Sequence, residues 1–448
     1  MTLKDSSTEK KGKIVASQDY TAASYNGSLI EIAGEDASMT MESGNISAVR
    51  ETPDSNGQYG VGVTDGGDFT MTGGKIEAGW FAVAGNGNYK TQNSIINITD
   101  GELISTADYA VYLPQSGTTT ISGGKVYGAA GGVCIQRGTL NVEGTALITS
   151  KGTGSTGNWG DGTGGLDCAA INVSGAYGIA TVNIKGGTLI AEAKSLITEG
   201  TTYTPVINVT GGTFSDPSVL KYMATNATVD IKLLSNINIA KTELATGYIL
   251  NAANATANLN LNGHDIINSS ETADATPFTQ IFTVQNGTLN ISGNGNVKCD
   301  ASATAKDDGY RMVIEARGYG TVNIHGGSYY NTQKLNTQID LIYARENGKI
   351  NIYGGTFESG KYGTPNNDTD GRYWVLNLKN TDKNTASIQV SGGTFINFNP
   401  ANPNMDDNES YLVTGYEVTR DGSVYTAAHK VGDGRKEYIV GQTSQENR

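Results

Sequence analysis

One repeated unit constrains this chain more than any other feature. Apolar and polar residues alternate, two glycines follow, and the alternation resumes. "TVNIKGGTLIAE" at 181–192 is one copy, and "VINVTGGTFSD", "TVNIHGGSYYN", "KINIYGGTFES" and "SIQVSGGTFIN" are others. Further copies start near Met71, Ile96, Ile121 and Leu140, with weaker ones at 39–46 and 289–297. A period of two means short strands with one face buried. The glycine pair marks a bend, because glycine accepts positive φ and carries no Cβ. Val182 and Ile184 then face inward, Asn183 and Lys185 outward, and Leu189 inward again.

A single unit cannot bury its apolar face, so copies must stack on one another. Coils of about 22 to 30 residues with short strands and no helical period describe an all-β parallel β-helix, a solenoid. A barrel or sandwich would show hairpin signals every ~8–12 residues instead. About fifteen coils at ~4.8 Å each would make a rod of roughly 70 Å.

Composition agrees. The 448 residues include 60 glycines and 8 prolines, and glycine at roughly twice its average share of about 7% sits beside β-branched residues rather than in linker tracts. The net charge of -13 argues against nucleic acid or an anionic lipid surface as partner. It fits an acidic soluble surface, or one that collects Ca²⁺. Cys134, Cys168 and Cys299 are odd in number and lack a C-x-x-C spacing, which excludes a disulfide framework and a thiolate zinc site. They read as small buried hydrophobes. No run reaches the ~18 apolar residues of a membrane span. The start, "MTLKDSSTEKKGKIVASQDY", has no apolar core to make a secretory signal. The expectation is a processed fragment or another route to the place of work.

The "GGTF" turns, the run "DIKLLSNINI…LNLNGHDI" (230–266) and the closing "GYEVTRDGSVYTA" (415–427) resemble pectate-lyase-like, right-handed parallel β-helix proteins of gut bacteria and their bacteriophages. The resemblance spans about residues 29 to 427. It implies a right-handed β-helix, and it says little about activity.

The expected organisation is an N-terminal arm (1–28), a first array (29–218), a second array (219–398), and a linker, hairpin cap and tail (399–448). An insertion at 151–170 loops out of the first array. A short helix is expected near 216–234, where the first array breaks. Whether the two arrays share one core is open at this level. Asp421-Gly422 marks the turn of a closing β-hairpin.

Catalytic signatures are sparse. Inverting polygalacturonase-type hydrolases carry Asn-Thr-Asp, Asp-Asp, Gly-His-Gly and Arg-Ile-Lys on successive coils. This chain has Asn380-Thr381-Asp382, Asp307-Asp308 and Asp406-Asp407, but Gly263-His264-Asp265 and no Arg-Ile-Lys, in the wrong order. These read as turn residues. Arg311, Glu315 and Arg317 are the nearest match to a lyase's mixture of charges and read as solvated strand flanks. His264, His325 and His429 have no partner at metal-ligand spacing. Two matches to G-x-G-x-x-G within 152–165 lack the flanking strand and helix that a dinucleotide site needs. No catalytic residue, metal site or cofactor is expected.

Two patterns point outward. Asn97, Asn141, Asn183, Asn208, Asn290, Asn323 and Asn351 would form a column, either an amide ladder that tightens register or a polar face for sugars. Tyr329, Tyr330, Tyr343, Tyr353, Tyr373 and Trp374 gather in the second array. Aromatics there would stack on sugar rings or fill grooves between subunits. Trp159 and Asp161 on the inserted loop are further candidates for contact with a glycan or a partner.

The expected function is non-enzymatic: a bacteriophage virion fibre or decoration protein that contacts host-surface or mucus glycans. It is expected to be a homotrimer working among other virion or cell-surface proteins, without nucleic acid or membrane. Alternatives are a bacterial cell-surface or extracellular adhesin or glycan-binding protein, and a polysaccharide lyase or hydrolase. Fold analogy carries most of this.

Overall fold

The computed structural model describes residues 1–9, 12–16, 27–49, 59–86, 88, 92–155, 165–199, 202–239, 247–268, 278–299, 310–331, 339–359, 373–403 and 410–430, with backbone only at 278–279, 310–311, 339 and 373. The described residues form stacked parallel sheets, an all-β architecture in keeping with a parallel solenoid. One coil shows the pattern. Ala180–Ile184 precedes the glycine pair, Thr188–Ala191 follows it, and Lys194–Thr198 completes the turn. We call these the first, second and third columns. Each strand pairs in parallel with its equivalent one coil away, as in Leu140↔Val182↔Ile207.

Alternation does what the sequence implies in the first column. Ala180, Val182 and Ile184 are buried, while Thr181 and Asn183 are half-buried on the outside. The third column departs from it. In Tyr109–Leu113, Gly131–Ile135 and Ala169–Val173 every residue is buried, as expected of parallel strands covered on both faces. Tyr59, Phe81, Tyr109, Tyr112 and Cys134 belong to an apolar cluster separate from the central core. Phe81 stacks on Tyr112 at 4.7 Å. All three cysteines are free and buried.

The two glycines of the bend serve different physical needs. A Cβ on Gly123 would lie 2.1 Å from the Thr99 carbonyl oxygen, and one on Gly392 would lie 2.2 Å from that of Tyr353. The first glycine therefore lets one coil settle on the carbonyl of its neighbour. The second glycine carries the turn, with φ of +72° at Gly124 and +103° at Gly393, a region that costs other L-residues energy.

The two arrays share one core, which runs from Ile32 to Ala427. The junction is a shift of one column. Thr213–Phe214 lies in the second column of the first array, yet it pairs with Thr228–Lys232, the opening first-column strand of the second array. Phe214 stands opposite Ile231. The place above the old first column is taken by a 3-10 turn, Pro217–Tyr222, and then by Met223, which bridges Val209. Asp216 caps that turn by accepting from the Ser218 N–H at 2.8 Å. The expected helix is thus a six-residue 3-10 helix, short enough to fit between two coils.

Both ends correct the expected boundaries. Two short strands of the expected N-terminal arm pair with the stack. Thr2–Leu3 pairs with Ser38–Met41, and Lys13–Val15 with Asn45–Ala48. Leu3 and Ile14 pack against the core, while Asp5 accepts from the Ser7 and Gly12 N–H groups at 2.9 and 2.7 Å. A charged turn closed by Asp5 stands where other coils have Gly-Gly, so composition alone hides the repeat. In the segment expected as linker, Leu412 bridges Val390 and adds to the first column. Tyr416–Asp421 and Val424–His429 form an antiparallel hairpin, and its second strand covers Thr394–Ile396.

Candidate functional site

The amide column exists as two ladders. Asn208 donates to Asn183 and Asn183 to Asn141, both at 3.0 Å, and Asn141 donates to the Thr120 hydroxyl at 3.5 Å. Asn97 stands in the same register, opposite Thr120. Above the junction, Asn351, Asn323 and Asn290 each donate to the preceding asparagine at 2.8 Å, and Asn258 donates to Asp230 at 3.0 Å. The column shift explains the break, since Asp230 lies opposite Thr213 rather than above Asn208. Every amide points the same way, and a carboxylate, a pure acceptor, ends the upper ladder. Its bonds lock register between coils.

The expected contact residues do not converge. Tyr329 is corrected outright: it is 0% exposed, stacks on Phe357 at 5.0 Å, and donates its hydroxyl to the Gly326 carbonyl at 2.9 Å. It occupies an inward slot of its strand, so it is a core residue and not a contact residue. Tyr330, its neighbour, is half-buried on the outer side of the second column. Tyr343 and Trp374 are half-buried in the third column, and Tyr373 lies beside Trp374 in the backbone. Tyr353 is 50% exposed and stacks on His325 with ring centroids 4.7 Å apart. His325 borders a groove of about 550 Å³ over the glycine turns of the second array. Trp159 and Asp161 lie outside the described residues.

Glu315 also corrects an expectation. It is 2% exposed rather than solvated. Its carboxylate accepts from Arg345 Nε at 2.7 Å, with Arg317 Nε at 3.9 Å. Asp340, 3% exposed, sits on the neighbouring strand. Among the described residues, Asp340 accepts from the Asn377 amide at 2.9 Å and forms no ion pair. Burial, with a smaller push from the Glu315 charge, raises its carboxyl to about 7. Burial and the nearby Asp340 charge push the Tyr343 phenol up to about 12. The outer side of this third-column sheet is buried, and its polar groups mostly satisfy one another. Asn380-Thr381-Asp382 is a 3-10 turn, in which the Glu346 N–H bonded to Asp382 at 2.7 Å holds that carboxyl below its usual range.

A second open concave surface lies elsewhere, where third-column strands of the first array return to the first column. A groove of about 860 Å³ crosses these corners. Tyr177 and Tyr203 line it at 39% and 47% exposure. Ile95 and Ile179 add exposed apolar surface, and among the described residues Arg137 is the one charged side chain in its lining. Hydroxyls come from Ser116, Thr118 and Thr139. Backbone hydrogen bonds tie the loops together. The Tyr203 N–H donates to Gly175 O, and the Tyr177 N–H to Gln136 O, both at 3.2 Å. Arg137 Nη1 donates to the Tyr177 carbonyl at 3.2 Å. A Cβ on Gly178 would fall 2.9 Å from Arg137 Cγ and Cδ, so glycine there makes room for the arginine stem.

This groove offers flat aromatic surface, hydroxyl and amide groups, and one cation. Among the described residues, its lining holds no carboxylate, no histidine and no cysteine. Among the described residues, no three metal-ligating side chains gather. Sequence reasoning passed over the groove because its tyrosines lie in links between repeats. The available signal was a tyrosine in two successive links of otherwise small residues, "SGAYGIA" and "GTTYTP". Comparisons with known proteins gave no match to a family model, a curated protein or a solved structure at a significant level.

Proposed function

We propose that this chain is a non-enzymatic right-handed parallel β-helix that binds glycans through the groove at Arg137, Tyr177 and Tyr203, displayed as a bacteriophage virion fibre or decoration protein. The observation that carries the binding role is the pair of half-exposed tyrosines on successive coils, beside hydroxyls and without a carboxylate. Aromatic faces take up the apolar faces of sugar rings, while the flanking polar groups bond their hydroxyls. Glycoside hydrolysis of the usual kind needs two carboxyl groups about 5–9.5 Å apart, and the described residues of this lining include none. Right-handedness follows the strong preference of parallel crossover connections. The proposed assembly is a homotrimer.

Binding to a polysaccharide panel tests the reading. The wild-type protein should retain at least one polymer, release no reducing sugar or unsaturated product, and lose more than about fivefold in affinity with Tyr177→Ala or Tyr203→Ala. Product release, or retention unaffected by both substitutions, would overturn it. Mass spectrometry of purified virions tests the setting. Recovery in the bacterial surface fraction instead would make the protein an adhesin. Sedimentation tests the trimer.

A further inference from the structure

We infer that the groove reads an internal run of a linear glycan, about four to five sugar units laid along the stack axis, and not a chain end or a single sugar. This rests on the groove being a glycan site.

The argument starts from where the lining comes from. Ile95, Thr118, Thr139, Ile179 and Tyr203 belong to five successive coils. Ile95, Thr118 and Thr139 lie opposite one another in strict register. Five coils span four spacings, about 19 Å at ~4.8 Å each. A pyranose with its linking oxygen is of the same order as one spacing, so the groove offers about one sugar per coil. Its volume of about 860 Å³ is near the top of the ~300–1,000 Å³ range of small-ligand sites, far more than one ring fills.

The coils do not offer equal chemistry. The lower end presents Ile95 and Thr118, the middle Arg137 and Thr139, and the upper end Tyr177 and Tyr203. Successive sugars therefore meet different partners, and affinity accumulates along the run. Gly117, Gly138 and Gly178 line it at three coils and add no side chain there. An extended ribbon-like chain can pass along them. The tyrosines at one end act as stacking platforms, and the loop hydrogen bonds that hold them keep those platforms in place before ligand arrives.

Length dependence tests this. Calorimetry would use oligosaccharides of two to eight units from linear β-1,4-glucan, xylan, mannan and chitin, with the parent polymers alongside. Affinity should rise at least tenfold from the dimer to the tetramer of the bound series and level off beyond five or six units. Tyr203→Ala, at one end of the groove, should bring that plateau to a shorter chain and weaken the tetramer and pentamer more than the dimer. Circular dichroism and an unaltered melting point would show that the variant is folded. Affinity independent of length would overturn internal recognition and leave glycan binding standing. Failure of every oligomer and polymer to bind would overturn both.

Discussion

At the scale of single residues, two buried interactions carry measurable consequences. Asp340 has its carboxyl raised from 3.8 to about 7 by burial. A carboxyl raised on folding holds an extra proton in the folded state. Its contribution is complete below about pH 4 and is lost as pH rises through 7. At about 1.4 kcal/mol per unit, the loss reaches up to about 4 kcal/mol by pH 8. Urea midpoints should fall for the wild type between pH 4 and 7 and level off above that, and stay flatter for Asp340→Asn. The variant should be the more stable at pH 8 and match the wild type at pH 4. Equal slopes would show that Asp340 is ionised throughout. The amide ladder gives a second expectation. Asn323 donates to one neighbour and accepts from another, while Asn351 makes one bond at the end. At about 0.5–1.5 kcal/mol net per bond, Asn323→Ala should cost about 1–3 kcal/mol and Asn351→Ala about half of that, read by equilibrium denaturation.

At the scale of the element, the glycine bend divides into two separable requirements. Gly123 lies against a neighbouring backbone carbonyl at 2.1 Å from its Cβ position, and backbone cannot swing aside as a side chain can. Gly186 occupies the same place in its own coil, yet its nearest neighbour there is at 3.3 Å. Gly123→Ala should therefore destabilise by about 2–3 kcal/mol. Gly186→Ala should stay within about 1 kcal/mol, helped by the reduced entropy of the unfolded chain. Thermal melts of the two variants check this. The bend, the strand alternation and the outward asparagines are legible in sequence because each depends on neighbours within a few residues. The first coil was less legible, because Asp5 and Gly12 do there what a glycine pair does elsewhere. Tyr329 was misread for a different reason. The repeat aligns Tyr329 with the inward-facing Leu189, but adjacent aromatics drew attention away from that phase; the register with Val297 and Phe357 places it in the core.

For the whole molecule, the junction governs cooperativity. In a stack, each coil is stabilised by its neighbours, and one weak interface can divide it. Phe214 is 1% exposed and stands opposite Ile231 across the column shift. Phe214→Ala should cost about 3–5 kcal/mol and split one calorimetric transition into two. A single transition, merely shifted down, would show that coupling is spread over the other contacts at the junction.

The sequence by itself determined the parallel all-β stack, the glycine bends, the outward amides and the buried cysteines. All of these follow from periods of two and from residues close together in the chain. The tertiary structure alone decided the column shift, the burial of Glu315 and Asp340, and the groove of Tyr177 and Tyr203. Each of those depends on which coil lies against which, and residues tens of positions apart meet there only after stacking.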